Sequence, residues 1–200
     1  LYHTEPHTAL ARQLVERFHG GVRLLDASLI RRENYDRSAS RAAESKKRIG
    51  RSAARLLLAD QHIAMGAGTT TMQVARHLTA RKHLHIMTNS LTIAMELAQT
   101  PDVHVISTGG SVDGAFYSLT GTTAARALGE HFFDVAVIGV SGISTVAGLT
   151  VSSQSNAVVL NAMMMQARKC IVVADSTKFG QLAFAHLAAL HRVDTLVTEA

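Results

Sequence analysis

The sequence contains a single cysteine, Cys170, and this scarcity excludes two classes of protein. One cysteine cannot form an internal disulfide framework, and it cannot supply a cysteine-rich zinc site. Cys170 begins the apolar run 170–174. We therefore predict a buried thiol with a structural role.

Long apolar runs are also absent. None approaches the roughly 18 residues that a bilayer-spanning helix needs, and the polar segment 1–8 does not resemble a signal peptide. We expect a cytoplasmic protein that does not bind a membrane. Only two prolines occur, and no Ser/Pro-rich linker divides the chain. The 200 residues, 47% apolar and 18% charged, are typical of one sizeable globular domain with a possible appendage.

The net charge of +5 is concentrated in one segment. Nine lysines and arginines lie between residues 31 and 55, against three acids, whereas the remainder of the chain is close to neutral. Such a segment could contact nucleic acid. It could equally be the solvated face of a helix, and composition alone does not separate the two interpretations.

Apolar periodicity predicts an α/β fold. Residues 1–38 show no sustained period, although residues 17–22 resemble a short strand that enters a glycine turn. An amphipathic helix is predicted over 40–58. Beyond it, short apolar runs alternate with helical stretches. They predict strands at 62–65, 84–88, 103–107, 135–139, 171–174 and 195–198, and helices near 70–79, 91–99, 120–130 and 155–168. Strands this apolar predict a largely parallel sheet, flanked by helices and buried on both faces.

In such a sheet ligands bind beyond the carboxyl ends of the strands, and the loop after the first strand is the strongest candidate. It contains Gly66, Ala67, Gly68, Thr69, Thr70 and Thr71. Glycines let the backbone approach a ligand, and the free N–H groups that open a helix favour an anion such as phosphate. A tight turn with a threonine cap would explain the same residues. The loop does not match a dinucleotide-binding fingerprint, because Thr71 stands where a third glycine would be needed. It does not match a Walker loop either, because the chain has no Gly-Lys pair.

The loops after the second and third strands are compatible with the same site. Asn89 and Ser90 could cap the next helix or reach a sugar hydroxyl. Gly109 and Gly110 could allow close approach of a ligand or simply form a turn.

The loops after the fourth and fifth strands add a hydroxyl, an acid and a base. Ser141 and Gly142 lie in a glycine-rich loop, but Ile143 breaks the Gly-x-Ser-x-Gly pattern of a hydrolase nucleophile. Asp175 and Lys178 follow the fifth strand. A lysine there can neutralise a phosphate as a point charge. The eleven histidines are scattered and form no His-Glu-x-x-His motif, so we expect no metal site.

Taken in order, these segments resemble the sensor domain of the DeoR family of bacterial repressors. The resemblance runs from about residue 17 to the end of the chain. Its motifs are RFHGG at 17–21, Tyr35 with Arg37, KKRI at 46–49, GTTT at 68–71, TNS at 88–90, GG at 109–110, the segment 134–143 and ADSTKFG at 174–180. It implies a domain related in fold to ribose-5-phosphate isomerase, without a cofactor or catalytic residues. The implied effector is a phosphorylated sugar or polyol, held through 68–71 and Lys178.

The family joins an N-terminal winged helix-turn-helix to this sensor, and the HisGlyGly element usually closes the wing. The resemblance therefore implies that residues 1–38 are a remnant of the DNA-binding wing with a linker, and that 39–200 form the effector-binding domain. Operator DNA would be bound by the missing N-terminal portion, with the basic segment as a connector. A homodimer or homotetramer is implied as well.

Three positions depart from the family pattern and leave the effector open. Gly66 stands where an acid is common, Asn161 where a basic residue is common, and Glu199 where aspartate is usual. A sugar-phosphate isomerase or lyase that uses Asp175 and Lys178 is the enzyme alternative. The isomerases need paired carboxylates on the loop that is 139–142 here, and that loop has none, so proton transfer has no evident agent. A third alternative is a scaffold whose basic segment binds nucleic acid without a ligand.

Overall fold

The computed structural model describes residues 15–18, 21–24, 35–79 and 83–199. Over these residues the chain forms thirteen strands, five α-helices and a further helical segment at 35–40. The strands are β1 (Val15–Phe18), β2 (Gly21–Leu24), β3 (His62–Met65), β4 (Leu84–Thr88), β5 (Val103–Ser107), β6 (Ser111–Asp113), β7 (Ser118–Thr120), β8 (Phe133–Gly139), β9 (Gly142–Ser144), β10 (Gly148–Val151), β11 (Ala167–Val173), β12 (Ala185–Ala188) and β13 (Thr195–Val197). The helices are α1 (Ala43–Ala54), α2 (Thr69–Arg76), α3 (Leu91–Leu97), α4 (Thr122–Gly129) and α5 (Gln154–Gln166).

Six strands form the central sheet, in the order β13-β11-β8-β3-β4-β5, and every pair is parallel. Side chains alternate between its two faces, as the pleat of a strand requires. One face packs with α1, α2 and α3 around residues such as Ile63, Ile86 and Val74. The other packs with α4 and α5 around Ala136, Ile138 and other small or branched residues. The predicted α/β fold with a parallel sheet is confirmed.

The strand order reverses between β3 and β8. From β3 the chain adds β4 and β5 on one side, and it then returns to add β8, β11 and β13 on the other. The loops that leave β3 and β8 therefore diverge to opposite faces of the sheet. Such a switch point opens a crevice at the carboxyl ends of the two strands, where open α/β sheets bind their ligands.

The predicted helix over 40–58 was too long and began too early. Residues 35–40 form a separate helical segment, and α1 begins only at Ala43. Ala42, between them, has a left-handed backbone with φ 53°. A non-glycine residue in that region ends regular helix, because its Cβ crowds the neighbouring carbonyl. The chain thus bends between residue 40 and α1.

Other boundaries differ by a few residues. Helix α5 ends at Gln166 and β11 begins directly at Ala167, so the helix predicted to 168 and the strand predicted from 171 are confirmed with different boundaries. Strand β5 lies at the edge of the sheet, and 37% of Ile106 is exposed there, against the prediction of strands buried on both faces. Cys170 is buried, as predicted. Burial and the nearby Asp194 carboxylate raise the pKa of its thiol to about 12.

Two small antiparallel sheets were not predicted. Strands β6 and β7 form a hairpin, and β9, β10 and β12 form a second sheet of order β12-β10-β9. Both follow the carboxyl ends of central strands, since β6 comes after β5, and β9 comes after β8. They add walls around the end of the sheet where a ligand is expected.

The amino-terminal segment is described only in part. Strands β1 and β2 pair antiparallel, so the predicted strand is confirmed at Arg17 and Phe18. His19 and Gly20 lie outside the described residues, as do residues 1–14 and 25–34, the first part of the basic segment among them. Within the described ranges, no helix has the length and apolar character required to span a bilayer.

Candidate functional site

A cavity of about 120 Å³ opens at the switch point, beyond the carboxyl ends of β3 and β8. Six of the predicted site residues line it: Ala67, Gly68, Thr69, Thr70, Ser141 and Lys178. The structure also brings in residues that the sequence reading did not select: Ser38, Lys46, Asp113, Phe116, Ser118, Gly139, Val140, Val151, Ser152 and Asn156. The cavity therefore collects side chains from segments that are far apart in the sequence.

One end of the cavity is the start of α2. Residues 66–68 lead from β3 into the helix, and Thr69, Thr70 and Thr71 are all buried. The Thr71 hydroxyl donates to the Gly68 carbonyl over 2.9 Å. The first backbone N–H groups of a helix have no acceptor within the helix. Here the residues at that position, Gly68, Thr69 and Thr70, line the cavity. A helix start of this kind favours a negatively charged ligand.

Asn89 holds the glycine loop in place. Its Oδ1 accepts from the Ala67 backbone N–H over 2.8 Å, and its Nδ2 donates to the Leu119 carbonyl over 3.0 Å. Asn89 is fully buried. Its carboxamide is thus engaged with backbone on two segments, and it positions Ala67 rather than lining the cavity.

Other predicted site residues also lie outside the lining and have structural contacts. Ser90 caps α3 by accepting from the Ile93 N–H over 3.2 Å. Of the two roles that the sequence allowed for Ser90, helix cap and ligand contact, the structure shows the helix cap. Gly110, at φ 114°, follows Gly109 between β5 and β6, and a Cβ there would lie 2.7 Å from the Thr120 carbonyl oxygen. A Cβ on Gly142 would lie 2.8 Å from the backbone carbon of Gln181.

Gly66 owes its identity to helix packing. A Cβ on this residue would lie 2.8 Å from Leu160 Cδ2 on α5. A larger side chain at this position would have to displace Leu160. The loop and α5 thus approach each other closely at Gly66.

Two lysines give the cavity its charge. Lys178 lies in a short 3-10 turn, Ser176–Lys178, after β11. Lys46 projects from α1 and is only 3% exposed, and its Nζ donates to the Ser38 carbonyl. Burial lowers the pKa of Lys46, and the positive charges of Lys178 and Arg41 lower it further, whereas the Asp175 carboxylate raises it. Lys46 thus lies within electrostatic range of one carboxylate and two other cations.

Asp175 is 1% exposed and organises the turn that carries Lys178. Its Oδ1 accepts from the backbone N–H of Thr177 over 3.2 Å and from the Thr177 hydroxyl. Asp175 therefore acts on the cavity through its charge and through this turn, and it is absent from the lining.

Glu199 anchors the same turn from outside. Its carboxylate accepts from the Ser176 N–H at 3.0 and 3.1 Å and from the Ser176 hydroxyl at 2.8 Å. Partial burial acts to raise the pKa of Glu199. Hydrogen bonds from its own backbone, from Ser176 and from the Thr198 hydroxyl outweigh that effect and lower the pKa to about 2.

Replacing Glu199 by glutamine is expected to reduce the free energy of unfolding by about 1 kcal/mol at pH 7, since a charged acceptor is lost. A carboxylate whose folded pKa is depressed stabilises the fold above its unfolded pKa of 4.5, and that contribution disappears as the pH falls toward about 2. Urea unfolding of both proteins from pH 7 to pH 2.5 measures the difference. It should shrink between pH 4.5 and pH 2.5, and a difference that stays constant would contradict the role of the charge.

The cavity also carries groups suited to hydroxyls. Asp113, Ser118, Ser152 and Asn156 line it. The Asn156 Oδ1 is buried and has no hydrogen-bond partner within the described part of the chain. A buried amide oxygen normally has a donor, so a ligand hydroxyl would satisfy this one. The cavity thus combines two lysines with polar groups that can bind hydroxyls, the Asp113 carboxylate among them.

The histidines are scattered in sequence, but three of them align in the fold. His62, His85 and His104 are register partners on β3, β4 and β5, and adjacent ring centroids lie 4.7 and 5.7 Å apart. They lie near the amino-terminal ends of these strands, away from the cavity. Across the described ranges, no three His, Cys, Asp or Glu side chains are grouped as metal ligands would be.

Sequence comparison finds relatives along most of the chain. Residues 41–200 match the family described as the DeoR C terminal sensor domain. The chain is 32% identical over 188 residues to the HTH-type transcriptional regulator GlpR of Haloferax volcanii, covering 94% of this chain and 73% of that protein. It is 29% identical to the glycerol-3-phosphate regulon repressor of Escherichia coli, covering 96% and 75%.

Comparison with solved structures gives the fold that the sequence predicted. Ribose 5-phosphate isomerase A from Methanocaldococcus jannaschii superposes with a TM-score of 0.52 at 15% identity, over 69% of this chain and 55% of that one. At this identity the likeness concerns the fold alone. The predicted isomerase-like fold is confirmed.

Proposed function

Because the chain belongs to the DeoR family of transcriptional regulators and contains its C-terminal sensor domain, we propose that its cavity binds a phosphorylated sugar or polyol effector and thereby modulates operator DNA binding. The observation that carries the proposal is the meeting of the α2 amino terminus, Lys46 and Lys178 in one cavity at the switch point of the sheet. Each of these groups attracts an anion, and together they provide a phosphate site.

The remainder of the cavity supports a hydroxylated carbon chain. Asp113, Ser118 and Ser152 offer oxygen atoms, and the unpartnered Asn156 Oδ1 can accept from a ligand hydroxyl. The E. coli relative is named a glycerol-3-phosphate regulon repressor, which is consistent with an effector of this chemical class. The proposal assigns direct contacts to Ala67, Gly68, Thr69, Thr70, Ser141 and Lys178. It assigns a shaping role to the other eight predicted site residues: Gly66, Thr71, Asn89, Ser90, Gly109, Gly110, Gly142 and Asp175.

The proposed sensor does not transform its ligand. Aldose–ketose isomerisation needs a base to move a proton between carbons. Asp113 is the only carboxylate among the lining residues, and its Oδ1 already accepts from the Ala115 N–H over 2.9 Å. Such a site favours binding over turnover.

The proposal extends to partners. Operator DNA would be bound by the DNA-binding part of the regulator, and residues 1–38 would be the remnant of its wing with the linker. Assembly as a homodimer or homotetramer belongs to the same proposal. Phe132, Val146 and Phe184 are each more than 85% exposed, and a contact between subunits could bury apolar side chains of this kind.

A thermal-shift screen against phosphorylated sugars and polyols tests the proposal. A ligand at a hundred times its Kd adds about 2.7 kcal/mol to the free energy of unfolding. We expect a shift with one such compound, loss of the shift in Lys178→Ala, and no consumption of the compound. Lys169→Ala, at an exposed lysine on β11, is the matched control and should respond like the wild type. Consumption would indicate an enzyme, and no shift across a broad panel would refute the phosphate site.

A further inference from the structure

The helical segment 35–40, called here the wall segment, forms part of the cavity itself. Ser38 lies on this segment and lines the cavity together with residues of α1 and α2. The wall segment precedes α1, on the side of the chain that leads toward the N-terminal part of the regulator. A ligand that fills the cavity therefore touches both the sensor body and the segment that precedes it.

The wall segment is held by the groups that would bind the anion. The Lys46 Nζ donates to the Ser38 carbonyl, and the Ser38 hydroxyl lies 3.4 Å from the Thr69 hydroxyl. Lys46 and Thr69 both line the cavity as well. An ammonium group has three protons, so Lys46 can hold Ser38 and a phosphate oxygen at the same time.

A second contact fixes the other end of the wall segment. The Tyr35 ring packs edge-to-face on Tyr117, with the ring centroids 5.6 Å apart. Tyr117 lies in the turn between β6 and β7 and has a left-handed backbone at φ 51°, which is uncommon for an aromatic residue. The neighbouring Phe116 lines the cavity. The wall segment thus spans the cavity rim from α2 to the β6–β7 hairpin.

The break at Ala42 makes the wall segment mechanically separate from α1. The left-handed residue interrupts the helix, so rotation there can move the wall segment without bending α1. The contacts that dock it on the cavity include those of Ser38 and Tyr35. A rotation at Ala42 would break these contacts together, so the docked and undocked arrangements of the wall segment are two distinct states.

We propose that occupancy of the cavity and docking of the wall segment are thermodynamically linked, so that the effector signal leaves the sensor through residues 35–40. The inference rests on the proposed effector site. A ligand whose site includes Ser38 binds the docked arrangement more tightly and shifts the population toward it. By reciprocity, a change that undocks the wall segment weakens the ligand.

Hydrogen exchange with inorganic phosphate as the probe tests the linkage. Phosphate should slow the exchange of amides in 69–72, at the start of α2, and also of amides in 38–42. Tyr35→Ala removes the aromatic contact without touching the phosphate site, and it should weaken phosphate binding about three- to ten-fold. Ser40→Ala, on the same segment, loses only a local bond to the Arg37 carbonyl and should bind phosphate like the wild type.

The outcomes separate the two proposals. Protection of 69–72 without any change in 38–42, together with wild-type phosphate affinity in Tyr35→Ala, would overturn the linkage and leave the effector site intact. Absence of any phosphate effect on 69–72 in the wild type would refute the effector site and the linkage with it. A thermal unfolding curve for each variant ensures that a weaker affinity is not caused by a loss of folded protein.

Discussion

Replacing Lys46 by methionine is expected to weaken binding of the phosphorylated effector about ten- to hundred-fold. Lys46 is 3% exposed and lines the cavity together with Lys178, so its ammonium group would meet the phosphate where screening by water is reduced. A hydrogen bond to a charged group contributes about 1.5–3 kcal/mol when one partner is removed. Each 1.4 kcal/mol corresponds to a factor of ten in Kd. Isothermal titration with the compound identified in the screen measures the change.

The same substitution should leave the fold in place. Methionine fills a similar volume with a flexible apolar side chain, and it removes the free-energy penalty of burying a charge. It also removes the bond from Nζ to the Ser38 carbonyl, which acts in the opposite direction. We expect the free energy of unfolding to change by less than about 1 kcal/mol, because the two effects offset each other.

The adjacent lysine provides the control. Lys47 is exposed, and its Nζ pairs with Glu44 Oε1 over 2.7 Å. Lys47→Met should bind the effector like the wild type. It should also keep its stability, since an exposed ion pair three residues apart contributes little to the free energy of unfolding. The dephosphorylated compound should bind Lys46→Met and the wild type equally weakly. An equal loss of effector affinity in Lys46→Met and Lys47→Met would mean that the net positive charge of the protein, rather than the cavity, attracts the ligand.

The sequence contains the information that Lys46 is buried, but a count of charges in the basic segment does not reveal it. Counted within the basic segment, it is one of nine cations. Placed on a helix, it lies three residues before Ile49 and seven before Ala53, so it occupies the buried face of α1. A lysine on an apolar face is a stronger indication of a site than a lysine in a charged run. Helical periodicity applied to every residue of the segment would have found it.

The central sheet could be predicted because its signal is local. Each of its six strands is a short apolar run, and a run of that kind needs no knowledge of distant residues. The glycine loop after β3 could be predicted for the same reason. Local signals do not always decide the role of a residue. From the sequence Ser90 could be a helix cap or a ligand contact, and only the hydrogen bond from the Ile93 N–H shows that it is a cap.

The far wall of the cavity could not be predicted, because it depends on pairing between distant residues. Strands β6, β7 and β9 have only three residues each, too few for a period-two pattern to be recognised. Strand β10 pairs with β12, with Thr150 opposite His186. Asp113, Ser118 and Ser152 reach the cavity only through these small sheets and the segments beside them. Their role follows from the tertiary structure, and no sequence motif indicates it.

Gly50→Ala is expected to destabilise the protein by about 1–3 kcal/mol, the range for overpacking a close contact. Gly50 lies in the middle of α1, where alanine would ordinarily stabilise the helix by about 1 kcal/mol. A Cβ there would lie 2.5 Å from the backbone carbon of Gln73 and 2.7 Å from its carbonyl oxygen. These are backbone atoms of α2 and cannot swing aside, so the two helices must separate.

The separation should also weaken effector binding, because α1 carries Lys46 and α2 carries the threonines at the helix start. Gly129→Ala is the matched control. Gly129 is the last residue of α4 and exposed, and a Cβ there meets nothing within 4 Å, so alanine should be neutral or stabilising. Urea unfolding midpoints of the two variants should therefore move in opposite directions or differ clearly. A Gly50→Ala protein as stable as Gly129→Ala would show that α1 and α2 tolerate a wider spacing, and the joint placement of Lys46 and the threonines would then not depend on this contact.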